Sequence, residues 1–438
     1  MKKALALVLA AGMTLSLAAC GGSTASSAAS SESTAASSES TAASSESTAA
    51  SSEATPAAAG EITYWSMWSN TEPQGKIIQE AADAYEASTG THVNIEWKGR
   101  DISTIIQAEL ENVNSSVDLF DEDFQRISTQ YNDYCLDLED MAKAIDYDSY
   151  AVAALPAAVR NWAGSLVAIP YQPYTSGVFY NKAAFEAAGI TAEPATWAEF
   201  LDCCEKLKAA GYTPLAQDDA YVCYTYGFLA ARLMGQDAVS AMVKDGTWAE
   251  SEGAKVAAQA IVDLRDKGYL SETCPDAYPD GENEVGFETA AMVVNASWVP
   301  SEITTNTGCD LEWGMFNFPT MEGGKDPATI ANIGAQAFAI NKNSKNAQAA
   351  FDFITMLTTG EWDEKIAMES SGIPADTRNE NWPEMLAGVR EAFNAQTGVY
   401  DWNMGLNDNA DMKETVNDNC KKLFEGTLDA QGFIDAMK

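Results

Sequence analysis

Histidine is almost missing. His92 is the single one in 438 residues. That excludes a histidine metal cluster, and His92, at the start of a strand pattern, reads as exposed or structural rather than catalytic. There is no nucleophile elbow, no glycine loop spaced to cradle a phosphate and no metal-ligand spacing. The chain is therefore expected to have no catalytic residue, no metal and no cofactor. Basic residues are scarce as well, with 26 Lys and Arg against 64 Asp and Glu and a net charge of −38. Neutralising phosphates takes Lys and Arg, so no nucleic-acid partner is expected. Charge of this sign keeps a chain soluble and attracts cations. There is no C-x-x-C. Apart from Cys20, the cysteines are Cys135, Cys203, Cys204, Cys223, Cys274, Cys309 and Cys420, an odd number, so buried free thiols are expected rather than a disulfide framework. Beyond the N-terminus no run of about 18 apolar residues exists, so no later span of a bilayer is expected.

What is present starts with export. Lys2 and Lys3 precede an apolar stretch, Ala4–Leu17, too short for a comfortable span and laid out like a secretory signal. Leu17-Ala18-Ala19-Cys20-Gly21 resembles a bacterial lipobox. That resemblance implies a signal peptide over 1–19, cleavage before Cys20 and a diacylglycerol anchor on it. Residues 20–60 are nearly all Ser, Ala, Thr and Glu, with ASSESTA recurring every seven residues around Glu32, Glu39, Glu46 and Glu53. No large apolar residue supplies a coiled-coil seam, so the segment reads as a disordered tether. Its reach would be roughly 35 Å, enough to hold a globular body clear of a membrane or within a Gram-positive wall.

The length suggests two or three domains, and 46% apolar residues with 11 Trp can fill sizeable cores. Glu61–Trp65 alternates as a strand. Pro73 opens a helix with its apolar face at Ile77, Ile78, Ala81 and Tyr85, closed by Gly90. His92–Trp97 is a second strand, Ile102–Glu111 a second helix, and Val117–Phe120 a third strand emptying into an acidic loop, Asp121-Glu122-Asp123. This βαβαβ order predicts a three-layer α/β lobe with a largely parallel sheet. Ile169–Lys182 (IPYQPYTSGVFYNK) is extended, because Pro170 and Pro173 fix φ and bias their predecessors. It reads either as one more βα unit or as a crossover between lobes with a ligand beside it. Thr196 and Glu199 form a capping box. Residues 221–243 and 249–267 read as two helices, 311–319 as a return crossover, and 330–340 as a strand pair or an irregular loop plus strand. Ser344 is expected to cap a helix that Gly360 ends.

In this order and spacing the chain resembles the family 1 extracellular solute-binding proteins. The residues that carry the likeness are YWSMWS (64–69), VDLFDED (117–123), IPYQPYTSGVFYNK (169–182), PATWAEFLDCCEKLKAAGYTPLA (194–216), FETAAMVVNASW (287–298), WGMFNFPTMEGG (313–324), NKNSKNAQAAFDFITML (341–357) and SGIPA (371–375). Val117 stands where the family has Pro, and Ala296 where it has Gly. The resemblance implies a two-lobe periplasmic-binding-protein fold of type II, maltose-binding-protein-like, with three interlobe crossings near 169–175, 313–319 and 370–380. Lobe 1 would be 61–169 plus 320–372, and lobe 2 would be 173–313 plus 380–438. It implies a monomeric receptor, lipid-anchored on the outer face of a Gram-positive membrane, that binds a sugar between the lobes and hands it to the permease subunits of an ABC importer.

A sugar offers flat C–H faces and a rim of hydroxyls, so its site needs aromatic platforms and planar polar groups. The platform candidates are Trp68, Tyr171, Tyr174, Trp298 and Trp402, with Trp65 either platform or core. Tyr174 and Trp298 rest on the resemblance, and Trp402 on the resemblance and on its polar neighbours Asp401 and Asn403. The polar candidates are Asp121, Glu122, Asp123, Gln217, Asp218 and Asn332, the last because Gly334 nearby lets backbone approach a ligand. Several platforms point to an oligosaccharide. Two other readings stay open. An acid-rich cleft on the same fold would suit a polyamine or another cationic solute, and a carboxylate pair would suit glycoside hydrolysis.

Overall fold

The computed structural model describes residues 60–437. The signal-like segment, Cys20 and the repeat lie outside the described residues. Among the described residues, nine strands form one mixed sheet: β1 (Glu61–Ser66), β2 (His92–Trp97), β3 (Leu119–Asp123), β4 (Ile169–Asn181), β5 (Thr213–Ala216), β6 (Ala290–Ala296), β7 (Trp313–Phe316), β8 (Ile330–Ile340) and β9 (Gly398–Tyr400). Their lateral order is β2-β1-β3-β8-β4-β6-β5, with β7 added on β4 and β9 on β8. β1 runs parallel to β2 and β3, as the βαβαβ pattern predicts. β8 then enters antiparallel between β3 and β4, and β5 and β6 are again parallel.

The long strand β4 joins the two halves of this sheet. Its residues from Ile169 to Thr175 pair with β8, and those from Ser176 to Asn181 pair with β6 and β7. The register shifts between Tyr171 and Pro173. Pro173 has no N–H for the ladder, and Gln172 takes φ 45°, so the strand bulges there. Further on, a Cβ at Gly177 would meet the Phe316 carbonyl oxygen at 2.6 Å. Only glycine lets β7 lie this close.

Side-chain alternation along the second half of the sheet separates two cores. Phe179, Val293 and Met315 face one core, which continues through Tyr64, Leu119, Phe338 and Phe351. Val178, Tyr180, Val294 and Phe316 face the other, with Phe228, Trp248, Ile261 and Phe433. Local chemistry sets the helix ends. Pro73–Thr89 starts on its proline and stops at Gly90 in the left-handed region. Thr196 and Glu199 close a reciprocal capping box on Trp197–Ala209. The Asn181 carboxamide accepts from the N–H groups of Ala183 and Ala184, turning β4 into the helix Lys182–Ala187. The seven cysteines in the described residues are free thiols, buried except for half-buried Cys309. His92 is about half exposed, with Nδ1 2.8 Å from Glu86.

Several elements differ from expectation. Asp121–Asp123 is strand, not loop, because the β8 backbone pairs with each of the three residues. The span 221–243 holds two helices, Val222–Met234 and Gln236–Asp245, split at Gly235 with φ 81°. Gly360 opens the helix Gly360–Glu369 rather than closing its predecessor. Ser344 does not cap its helix directly. It donates to Asp118 and accepts from the Asn346 N–H, just before Ala347–Leu357.

Candidate functional site

A cavity of about 530 Å³ opens beside the β4 bulge. It is lined by Trp68, Gln172, Tyr174, Tyr221, Tyr278 and Trp298, with Glu302, Gln336, Ser370 and Ser371 among its polar groups. A second, of about 340 Å³, lies across Tyr174 and is lined by Asp123, Arg126, Tyr174 and Trp402. Both volumes fall in the usual range for ligand pockets, about 300–1,000 Å³. The aromatic rings form a nearly continuous wall. Tyr174 and Trp298 have centroids 5.3 Å apart, Trp298 and Trp402 6.2 Å, Trp402 and Tyr224 5.0 Å, and Tyr221 and Tyr278 6.0 Å. A larger cavity of about 640 Å³ lies between the helices Ala154–Ala163 and Gln236–Asp245. Trp162 is its aromatic lining, so it offers little to stack on.

Each ring is set by its own local structure. Trp298 follows the end of β6 and stands at the start of the helix Val299–Thr307. The Tyr174 ring lies over Gly334 of β8, where an added Cβ would come under 3.0 Å of the ring. The small residue that was expected to admit a ligand thus admits Tyr174. Trp402 sits at the head of a tight turn, with Asn403 and Met404 at φ 56° and 51°. Trp68 donates its indole N–H to the Tyr171 hydroxyl at 2.6 Å, and the Arg100 guanidinium covers its ring at 4.4 Å. Glu302 accepts a hydrogen bond from the Tyr278 hydroxyl on the cavity rim.

Of the residues singled out in the sequence, the structure brings Trp68, Asp123, Tyr174, Trp298 and Trp402 onto these two cavities. The others lie off the two cavities, with their side chains engaged inside the protein. Asp121 is fully buried and accepts from the Met67 N–H at 2.9 Å and the Tyr171 hydroxyl at 2.6 Å. Burial pushes its carboxyl up to about 6, against the hydrogen bonds from Tyr171 and Met67. Tyr171 is 1% exposed, its ring stacked on Phe338 at 4.1 Å. Glu122 pairs with Arg126 at 2.9 Å. Asp218 is also buried and accepts from the Glu282 N–H at 3.2 Å. Burial pushes it up to about 7, against the N–H groups of Glu282 and Gly281. Gln217 bonds Thr225 and its own neighbour. Asn332 accepts from Tyr224 and donates to the Tyr400 carbonyl, both at 2.8 Å. Trp65 packs against the core under Lys98.

These interior groups still shape the site. Trp68 donates to Tyr171 and Tyr171 to Asp121, so a buried carboxylate fixes the angle of a cavity-wall indole. The sequence reading missed Tyr221, Tyr278, Gln172, Gln336, Glu302 and the serines 297, 301, 370 and 371. One signal was available for Gln336, which is the lone polar side chain in Ile333–Ile340.

The profile of the bacterial extracellular solute-binding proteins matches residues 68–364. The chain belongs to that family. Its members are binding proteins that act outside the cell. Among relatives of this solute-binding protein, the multiple sugar-binding protein of Streptococcus mutans is 26% identical over 200 residues, 44% of this chain and 47% of that one. The chain thus spans about half the length of the curated relatives it matches. Two solved structures share the fold. A sugar transporter from Bacillus licheniformis in complex with stachyose has TM-score 0.59 and 20% identity, over 86% of this chain and 98% of that one. The cyclic alpha-maltosyl-1,6-maltose binding protein of Arthrobacter globiformis has TM-score 0.63 and 18% identity, over 86% and 97%. At these identities the likeness bears on the fold, two-lobed and maltose-binding-protein-like, and not on the ligand.

Proposed function

We propose that this solute-binding protein captures an oligosaccharide between two lobes and delivers it to the permease of an ATP-driven importer. The observation that carries the reading is the wall of Trp68, Tyr174, Trp298, Tyr221 and Tyr278 around one cavity, continued by Trp402 at the next. Each ring offers an apolar face for sugar C–H groups, and the amides and hydroxyls between them match a hydroxyl rim. Asp121 is held by interior partners and Glu122 is paired with Arg126, which favours a receptor over a hydrolase. The lobes are 61–169 plus 320–372 and 173–313 plus 380–438, hinged on β4 and its neighbours. The mature chain is a monomer lipidated on Cys20 and displayed outside the membrane of a Gram-positive cell, with the Ser/Ala/Glu repeat as tether.

Titration against a glycan panel, followed by tryptophan fluorescence and calorimetry, tests this. Saturable binding of at least one neutral oligosaccharide, little changed between low and moderate salt, is the expected result. A polyamine is the second reading, favoured by the carboxylates of Asp123 and Glu302 at the cavity walls. Polyamine binding that weakens steeply with salt, with no sugar binding, would replace the first reading by the second.

A further inference from the structure

Two glutamines line the cavity at the β4 bulge, and interior packing leaves part of each amide unpaired. Gln172 and Gln336 both line the 530 Å³ cavity. Tyr171 pairs with Gln336 and Pro173 with Ala335, so the bulged Gln172 lies opposite the step between these two β8 residues. The Oε1 atom of each is buried with no hydrogen-bond partner. Gln172 Nε2 donates to Ser370 Oγ at 3.2 Å. Exchanging the two ends of that amide moves the unpaired end without removing it. A buried amide group left unpaired is destabilising, and two on adjacent strands call for a partner that both can reach.

The backbone around them is strained. Gln172 has φ 45° and Ser371, on the same cavity, φ 53°. Neither is glycine, and side-chain-bearing residues avoid this region. Asn403 and Met404, beside Trp402 at the neighbouring cavity, are strained in the same way. Strain of this kind persists where the surrounding structure imposes it, often at ligand sites. Here it holds the Gln172 side chain against the cavity and within reach of Ser370. An amide both donates and accepts, as a sugar hydroxyl does, and rotation about its last torsion is soft.

We infer that Gln172 and Gln336 are the hydroxyl-reading pair of this site, and that they select a sugar with free hydroxyls at the hinge end of the cavity. This rests on the sugar reading above. The test takes a neutral oligosaccharide that the unsubstituted chain binds, together with its deoxy or O-methylated forms. Calorimetry compares the unsubstituted chain with Gln336→Leu and Gln172→Gly. Each substitution is expected to weaken binding about tenfold. The modified sugars should bind the unsubstituted chain about tenfold less well than the parent sugar, and Gln336→Leu should lose that discrimination. Glycine takes φ 45° without strain, so Gln172→Gly should leave the thermal midpoint unchanged or higher while affinity falls. Equal binding by both variants, or discrimination retained by Gln336→Leu, overturns the inference and leaves the sugar reading standing. Failure of the unsubstituted chain to bind any sugar overturns both.

Discussion

Gly334→Ala tests the platform without touching it. Gly334 is not in the left-handed region, so its backbone accepts alanine. The difficulty is steric, because the new Cβ would stand under 3.0 Å from Cζ, Oη and Cε1 of Tyr174. Carbon contacts relax to about 3.5–4.0 Å, so the ring must leave the β8 surface by an ångström or more. Tyr174 divides the two cavities and lies 5.3 Å from Trp298. Its displacement therefore changes the wall on both sides. If about 60 Å² of apolar area is withdrawn from water on stacking, the contact contributes about 1.5 kcal/mol. Loss of aromatic geometry adds about 0.5–1.5 kcal/mol. The sum, about 2–3 kcal/mol, corresponds to roughly a 30- to 150-fold loss in affinity. Overpacking should lower stability by about 1–3 kcal/mol. The assay is calorimetric titration of a sugar bound by the unsubstituted chain, run as a cycle with Tyr174→Ala. In the Tyr174→Ala background the added methyl has no ring to displace, so Gly334→Ala should then change affinity little. An unchanged affinity for Gly334→Ala alone, or the same loss in both backgrounds, would refute the reasoning.

Trp298→Ala should weaken sugar binding at least tenfold while thermal stability stays within a few degrees, because the ring is only partly buried; unaltered binding would remove Trp298 from the platform. Stability should fall as pH rises. The Asp218 carboxyl sits at about 7, against an ordinary 3.8, so from about pH 4 to 7 the folded chain holds a proton that the unfolded chain has released. Asp121, at about 6, acts in the same direction. A thermal midpoint a few degrees higher at pH 5 than at pH 8 is expected. The difference should shrink in Asp218→Asn, whose amide oxygen can still accept from Glu282, and equal differences in the two proteins would contradict this. Cys20→Ser should give an unlipidated protein that leaves the detergent phase on phase separation; normal processing with membrane retention would exclude the lipobox.

Several helix ends were legible in the sequence because their chemistry is local, though not those at Ser344 and Gly360. Pro73 and Gly90, the Thr196–Glu199 box and the Asn181 cap each act within a few residues. The early strands were legible for the same reason, since their alternation and the intervening helices lie in one continuous stretch. The fate of Asp121–Asp123 was not, because it depends on β8, far along the chain. An acidic triplet after a strand has the pattern of a loop, and becomes strand only when β8 pairs with it. Asp121 and Tyr171 were expected at the ligand for their residue types, and the interior claims them because each satisfies the other. Tyr221 ends the short helical turn Asp219–Tyr221 and Tyr278 lies in a distant turn, and no local spacing brings them together. Gln172 and Gln336 come to one cavity only through the register of β4 on β8.

That register also bears on how closure would be felt at the site. Thr175 is the last residue of β4 paired with β8, and Ser176 the first paired with β6. At this junction Ser297 donates its N–H to the Thr175 carbonyl at 2.9 Å, and Thr175 donates its own to Ser297 Oγ at 3.3 Å. Ser176 Oγ donates to the Asn332 carbonyl on β8 at 2.7 Å. The change of partners along β4 is therefore clamped on one side to the residue before Trp298 and on the other to β8, which carries Gln336. A rotation about this junction cannot leave the wall still. Were the two halves of the sheet to rotate here, Trp298 and Gln336, tied to the junction from opposite sides, would shift relative to one another, and the aromatic platform and the polar end would approach a ligand together.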